Sequence, residues 1–157
     1  MKYNYIKKRD YSFTGREILK SRNDLTNWRY WCTDSKVETN VETTPMGDVL
    51  EVTKVTPRRL NSILFQNIKM NPKNKKLKFS IWLKADRPHI ATIKIQTMNS
   101  SESNTSDSIK VTNEWSYYKV TNKFLKDNEV ITVVLWPGGF NGTSDAVYAW
   151  GASLVQI

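Results

Sequence analysis

The chain has 157 residues, 39% of them hydrophobic and 25% charged, and a formal net charge of +9. That length and balance suit a single folded domain with a real core and argue against disorder. No apolar run approaches the roughly 20 residues of a membrane span, residues 1–10 lack the apolar stretch of a secretory signal, and one cysteine, Cys32, excludes an internal disulfide or a cysteine-based zinc site.

In chain order, residues 1–15 read as an arm. Lys2, Tyr3, Tyr5, Lys7, Lys8 and Arg9 mix cations with rings and follow no period. Over residues 1–22 seven cations stand against two acids, Asp10 and Glu17, and a second basic cluster runs from Lys69 to Lys78. Such charge attracts nucleic acid, acidic lipid or anionic glycopolymer alike.

From residue 16 to 157 the chain reads as one domain of short strands. The predicted strands are 28–32, 36–43, 48–55, 62–68, 77–85, 90–98, 108–112, 114–121, 130–136 and 146–155. Pro45, Gly47, Pro57, Pro72, Pro88 and Pro137-Gly-Gly139 punctuate them. No segment keeps a 3.6-residue period, so helix is confined to a turn within 10–20 or 71–76. Many short strands at even spacing predict an all-β sandwich of two antiparallel sheets.

The clearest strand is 77–85. Leu77, Phe79, Ile81, Leu83 and Ala85 alternate with Lys78, Ser80, Trp82 and Lys84, which predicts one core face and one outward face bearing an indole among cations. On the next strand, Ala91, Ile93 and Ile95 read as inward, which would put Thr92, Lys94 and Gln96 on the side of Trp82. Residues 99–107 form a polar loop whose sequons at Asn99 and Asn104, like that at Asn141, read as chance products of composition.

Enzyme chemistry is thinly represented. There is no Gly-x-Ser-x-Gly elbow, no phosphate-cradling glycine loop and no histidine pair. The lone His89 follows a proline and reads as a turn residue, and Cys32 beside Trp31 reads as a buried thiol. A glycosidase needs two carboxylates about 5–10 Å apart. Asp48 with Glu51, or Glu38 with Glu42, are no more than ordinary strand-face acids. Nucleic-acid binding is disfavoured, because the signatures of the common single-strand readers are absent.

Carbohydrate fits the aromatic inventory better, since sugars stack on rings while their hydroxyls take polar partners. Trp28, Tyr30, Trp31, Trp82, Trp115, Tyr117, Trp136 and Trp150 exceed what one core needs. The residues expected to contact glycan are Trp82, Lys84, Lys94, Gln96, Trp31 and Trp136, the last at a strand end before Pro137. The competing readings are core for each ring and a merely solvated face for the lysines.

The run Ile63-Leu-Phe-Gln66, Pro72, then Leu77 to Asp86 resembles the central motif of carbohydrate-binding-module jelly rolls of the galactose-binding-like group. Val111 to Thr121 resembles their following strand and Val147 to Leu154 their closing strand, while Ile18 to Trp28 is similar to their lead-in segment. The closing Tyr148-Ala-Trp-Gly-Ala-Ser-Leu154 resembles the variant in bacteriophage tail, baseplate and fibre proteins. The resemblance implies a jelly-roll sandwich with a non-catalytic recognition or structural role. Modules attached to glycosidases carry acids in the closing strand, one of them helping to hold a structural calcium. Ala149 and Trp150 stand there instead, which leaves Asp145 as the candidate calcium ligand and no other cofactor.

The expectation is therefore a virion protein made in the host cytoplasm. Its arm would anchor it to other virion proteins, and its sandwich would contact host cell-wall glycan, anionic teichoic acid being the natural partner of Trp82, Lys84 and Lys94. The alternatives are a structural or decoration subunit, which could form homo-oligomers, and a glycan-binding module cut from a bacterial glycosidase.

Overall fold

The computed structural model describes residues 17–19, 22–31, 35–58, 62–98, 102, 104–139 and 145–157. Within them lie ten strands: β1 (Arg29–Trp31), β2 (Lys36–Thr43), β3 (Val49–Thr56), β4 (Ile63–Lys69), β5 (Lys76–Lys84), β6 (His89–Thr97), β7 (Thr105–Val111), β8 (Ser116–Lys123), β9 (Val130–Trp136) and β10 (Val147–Gln156). They form two antiparallel five-stranded sheets. Sheet I has the order β1-β4-β9-β6-β7 and sheet II the order β2-β3-β10-β5-β8. Consecutive strands repeatedly cross from one sheet to the other, the jelly-roll arrangement.

Alternation dictates the core. Leu77, Phe79, Ile81 and Leu83 of β5 face Ala91, Ile93 and Ile95 of β6, all fully buried, with Leu135 of β9 and Leu154 of β10 among them. Trp28 packs on Phe79 at 6.4 Å between ring centroids. The one helical element among the described residues is a 3-10 turn at Leu25–Asn27, capped by Asp24, whose carboxylate accepts from Thr26 N–H at 3.0 Å. Leu25 N–H donates to Thr53 Oγ1 at 2.8 Å, which satisfies a hydroxyl buried between the sheets.

Three expectations change. The segment 71–76 is a hydrogen-bonded turn closed by Lys75 N–H to Pro72 O at 2.9 Å, not a helix. The strand expected from residue 108 begins at Thr105, because β7 is an edge strand on which polar residues pair with β6 at no desolvation cost. The third concerns the face of β5 that carries Trp82. Ser80 is fully buried there and Trp82 is 5% exposed, so that face is covered and not open.

Its cover starts with β10. Trp150 pairs with Trp82, but Ser153 pairs with Ser80, so β10 spends one extra residue, a β-bulge. Gly151 takes φ +63°, where a side chain would be strained. The bulge restores the alternation, so that Ala149, Ala152 and Leu154 all face inward. The lead-in segment runs beside it. Ala152 N–H donates to Arg22 O, Arg22 Nε donates back to Ala152 O, and Gly151 N–H donates to Asn23 Oδ1. The Glu17 carboxylate accepts from Ser153 Oγ and Leu154 N–H of β10.

Candidate functional site

Register puts two rows of side chains on the outward face of sheet II. In the first, Trp150 of β10, Trp82 of β5 and Tyr117 of β8 are cross-strand neighbours. Trp82 and Tyr117 meet at 5.6 Å between ring centroids, tilted by 59°. In the second, Tyr148 of β10 lies beside Lys84 of β5, and the β5–β8 register continues to set Trp115 beyond Lys84. The Lys84 ammonium stands 5.1 Å from the Tyr148 ring centre and 5.5 Å from that of Trp115. Cation–π attraction holds it between them.

The sheet is strongly curled at this point. Lys84 Nζ forms an ion pair with Glu42 Oε2 at 2.7 Å, although Glu42 belongs to β2, three strands away. In a flat sheet the three strand spacings alone would be roughly 14 Å, and Glu42 also lies four residues along β2 from Glu38, which shares the cross-strand row of Lys84. Trp115 Nε1 donates to the Thr43 carbonyl at 2.7 Å, joining the residue before β8 to the end of β2 at the opposite edge. Between these contacts lies a cleft of about 500 Å³ lined by Trp82, Lys84, Trp115, Glu42, Asn113 and Glu114, with Thr43 and Pro45 at its rim.

The cleft is amphiphilic. Trp82 supplies a nearly buried floor and Trp115 a half-buried wall. Around them stand two carboxylates, an amide and one ammonium already neutralised by Glu42. Tyr148 borders the cleft and donates its hydroxyl to Asp86 Oδ2 at 3.2 Å. Burial, and then the Asp86 carboxylate, push its phenol above the ordinary tyrosine value, with Lys54 opposing from 5.4 Å above the ring.

Of the residues singled out in the sequence, Trp82 and Lys84 lie in this cleft. Lys94, Gln96 and Trp136 do not, because β6 and β9 belong to sheet I and their outward side chains occupy the opposite surface of the sandwich. The turn between β5 and β6 crosses between the sheets, which reverses the face assignment. Trp31 ends β1, also in sheet I, and its side chain lies outside the described residues. Lys2, Tyr3, Tyr5, Lys7, Lys8, Arg9 and Cys32 lie outside them too.

Asp145 precedes β10, and no group of three acids, histidines or cysteines that could hold a metal gathers among the described residues. His89, expected in a turn, is the first residue of β6, and its two ring nitrogens lie 2.8 Å from Arg87 O and 2.9 Å from Pro137 O. No described helix is long and apolar enough to cross a membrane. Glu42, Asn113, Glu114 and Trp115 are the lining residues that sequence reasoning did not select. Trp115 could have been found only by knowing that β8 pairs with β5.

A second cleft of about 600 Å³ opens beside β4, lined by Ile18, Asn27, Gln66, Ile68 and Val130 among others, and it holds no aromatic ring.

No known family profile and no curated protein matches the chain. Solved structures do. A CBM4 carbohydrate-binding module superposes with a TM-score of 0.62 at 18% identity, over 90% of this chain and 95% of that one. The CBM22-1 xylan-binding domain of Xyn10C from Paenibacillus barcinonensis gives 0.66 at 12% identity, over 93% and 97%. The enzymatically active domain of bacteriophage CBA120 tailspike protein 4 gives 0.65 at 10% identity, over 90% of this chain but 21% of the tailspike. What these likenesses share with the chain is architecture: it has the jelly-roll sandwich fold of carbohydrate-binding modules.

Proposed function

We propose that the protein is a non-catalytic glycan-binding domain whose ligand lies in the cleft of sheet II. The observation that carries this reading is the conjunction of the Trp82 and Trp115 rings with Glu42, Asn113, Glu114 and Lys84 in one concave site. Rings take the CH faces of a pyranose, while fixed polar groups take its hydroxyls. The fold shared with carbohydrate-binding modules supports it.

The electrostatics refine the ligand. Lys84 is committed to Glu42, and Glu114 adds a further negative charge. The cleft therefore favours uncharged saccharide over the anionic teichoic acid that the sequence suggested for Trp82, Lys84 and Lys94.

For biological context, we propose a tail, baseplate or fibre component of a phage particle that presents this domain to host-surface glycan. The wording of β10 and the tailspike likeness support it. A glycosidase-borne module accords equally with the xylan-binding likeness, and immunodetection on purified particles separates the two. The functional test is a glycan array followed by calorimetry. Wild type should bind a neutral oligosaccharide, and Trp115→Ala should lose at least tenfold in affinity. Equal binding by both proteins removes the cleft as the site.

A further inference from the structure

The outward face of sheet I differs in charge from that of sheet II. Following the register, its outward positions include Arg29 on β1, Lys69 on β4, Lys94 on β6 and Lys110 on β7. No outward position of the five strands carries a carboxylate. Arg29, Lys69 and Lys110 are exposed and Lys94 is half-buried. None of the four forms an ion pair among the described residues. On sheet II, by contrast, carboxylates stand among the outward cations: Lys36 is paired with Glu38 at 2.9 Å and Lys84 with Glu42, while Lys76, Lys119 and Lys123 gather towards one end of β5 and β8. A face that merely keeps a protein in solution mixes signs. This one does not.

The placement of the cations is informative. Arg29 and Lys94 fall in one cross-strand row with Phe65 and Val134 between them. Lys69 lies four residues to one side of that row, opposite Val130, and Lys110 four residues to the other side, opposite Ile90. At ordinary strand rise and spacing, Lys69, Lys94 and Lys110 therefore trace a diagonal with steps of roughly 14–16 Å. Those steps exceed the screening length of about 8 Å at physiological salt. Such cations do not converge on one small anion. Each can engage a separate negative group on an extended partner.

The side chains between them identify that partner's chemistry. Asn67 and Gln96 lie between Lys69 and Lys94, and Ser108 lies between Lys94 and Lys110. Asn67 Oδ1 already accepts from Thr132 Oγ1 at 2.7 Å, which leaves its amide hydrogens to donate outward. Amides and hydroxyls spaced between cations suit a polymer of hydroxyls and regularly spaced acids. The described rings on this face, Phe65 and Trp136, are half-buried and lie beside the diagonal, not along it, whereas a nucleic acid would ask for exposed stacking rings on the line itself.

We infer that the outward face of sheet I is a docking surface for an acidic polysaccharide, engaged by the diagonal of Lys69, Lys94 and Lys110 with Arg29 beside it. This surface is separate from the cleft of sheet II and does not rest on the cleft's function.

Affinity electrophoresis in gels containing polygalacturonate tests the inference. Wild type should be retarded at low salt, with retardation falling as salt rises. The triple variant Lys69→Gln, Lys94→Gln, Lys110→Gln should weaken binding at least tenfold. A charge-matched control on sheet II, Lys76→Gln, Lys119→Gln, Lys123→Gln, should bind within twofold of wild type. Absence of retardation, or equal losses in the two triples, overturns the proposal. So does tighter capture of a single-stranded oligonucleotide that is lost in the same sheet I triple, because it makes the surface a nucleic-acid site. Neutral-glycan binding should survive in both triples, so a failure of the cleft reading would be visible separately.

Discussion

Trp115 and Thr43 belong to opposite edges of sheet II, yet the indole Nε1 of Trp115 donates to the Thr43 carbonyl at 2.7 Å. Four strand spacings separate those edges, roughly 19 Å if the sheet were flat. The bond is therefore a measure of how far the sheet curls. It also fixes the ring that walls the cleft.

Trp115→Phe separates the ring from the bond. Phenylalanine retains a stacking face but cannot donate, so the expected cost is that of one hydrogen bond, about 1 kcal/mol. For a domain of this size that corresponds to a fall of roughly 2–4 °C in Tm. Glycan affinity should drop less in Trp115→Phe than in Trp115→Ala. If calorimetry finds the two variants equally impaired, the wall's position matters more than its ring.

The Lys84–Glu42 pair should respond unequally to loss of either partner. Glu42→Gln leaves Lys84 between the Tyr148 and Trp115 rings. Lys84→Met leaves a carboxylate 26% exposed whose other polar contact is Asn40 Nδ2 at 3.4 Å. A poorly satisfied charge is costly, so Lys84→Met should destabilise by about 1–3 kcal/mol and Glu42→Gln by about 1 kcal/mol or less. Urea titrations of both variants and the double variant measure the coupling. A larger loss in Glu42→Gln would contradict this account.

Strand alternation made the elements legible, because period-two burial is a local property. β2 and β9 span the residues expected of them, and the inward faces of β5 and β6, where alternation is clearest, are the core. Non-local facts were hidden. Lys94 and Gln96 share the phase of Trp82 but not its surface, because consecutive strands need not share a sheet. The burial of Trp82 was equally hidden, since alternation says which way a side chain points and not what covers it. The lining of Glu42 and Trp115 depends on the curl of the sheet, which no single strand encodes.

Gly151 connects the bulge of β10 to the cleft floor. Its φ of +63° disfavours any side chain, and an added Cβ would lie 3.3 Å from Trp82 Cδ1. The left-handed conformation alone costs a non-glycine residue about 1–2 kcal/mol. Gly151→Ala should therefore destabilise by at least that amount and shift tryptophan emission as the Trp82 ring gives way. Gly139→Ala is the more severe comparison, because its Cβ would meet the Ile90 carbonyl oxygen at 2.7 Å and backbone cannot turn aside. Unchanged emission in Gly151→Ala would mean that Trp82 is not held by the bulge.

Tyr148 sets the alkaline behaviour of the cleft. Burial first, and the Asp86 carboxylate second, raise its phenol above the ordinary value of 10.0, while Lys54 pulls the other way. The folded protein therefore keeps a proton that the unfolded chain has lost. The stabilisation linked to that proton is fully present below about pH 10 and is lost as pH rises through the folded value. Tyr148→Phe abolishes the titration, so its unfolding free energy should fall less steeply than that of wild type above pH 10. Asp86→Asn removes a raising influence and should bring the folded value back towards the ordinary one, giving an intermediate slope. Denaturant unfolding from pH 8 to 11 distinguishes the three proteins, and parallel curves for wild type and Tyr148→Phe would show that the phenol is not the titrating group.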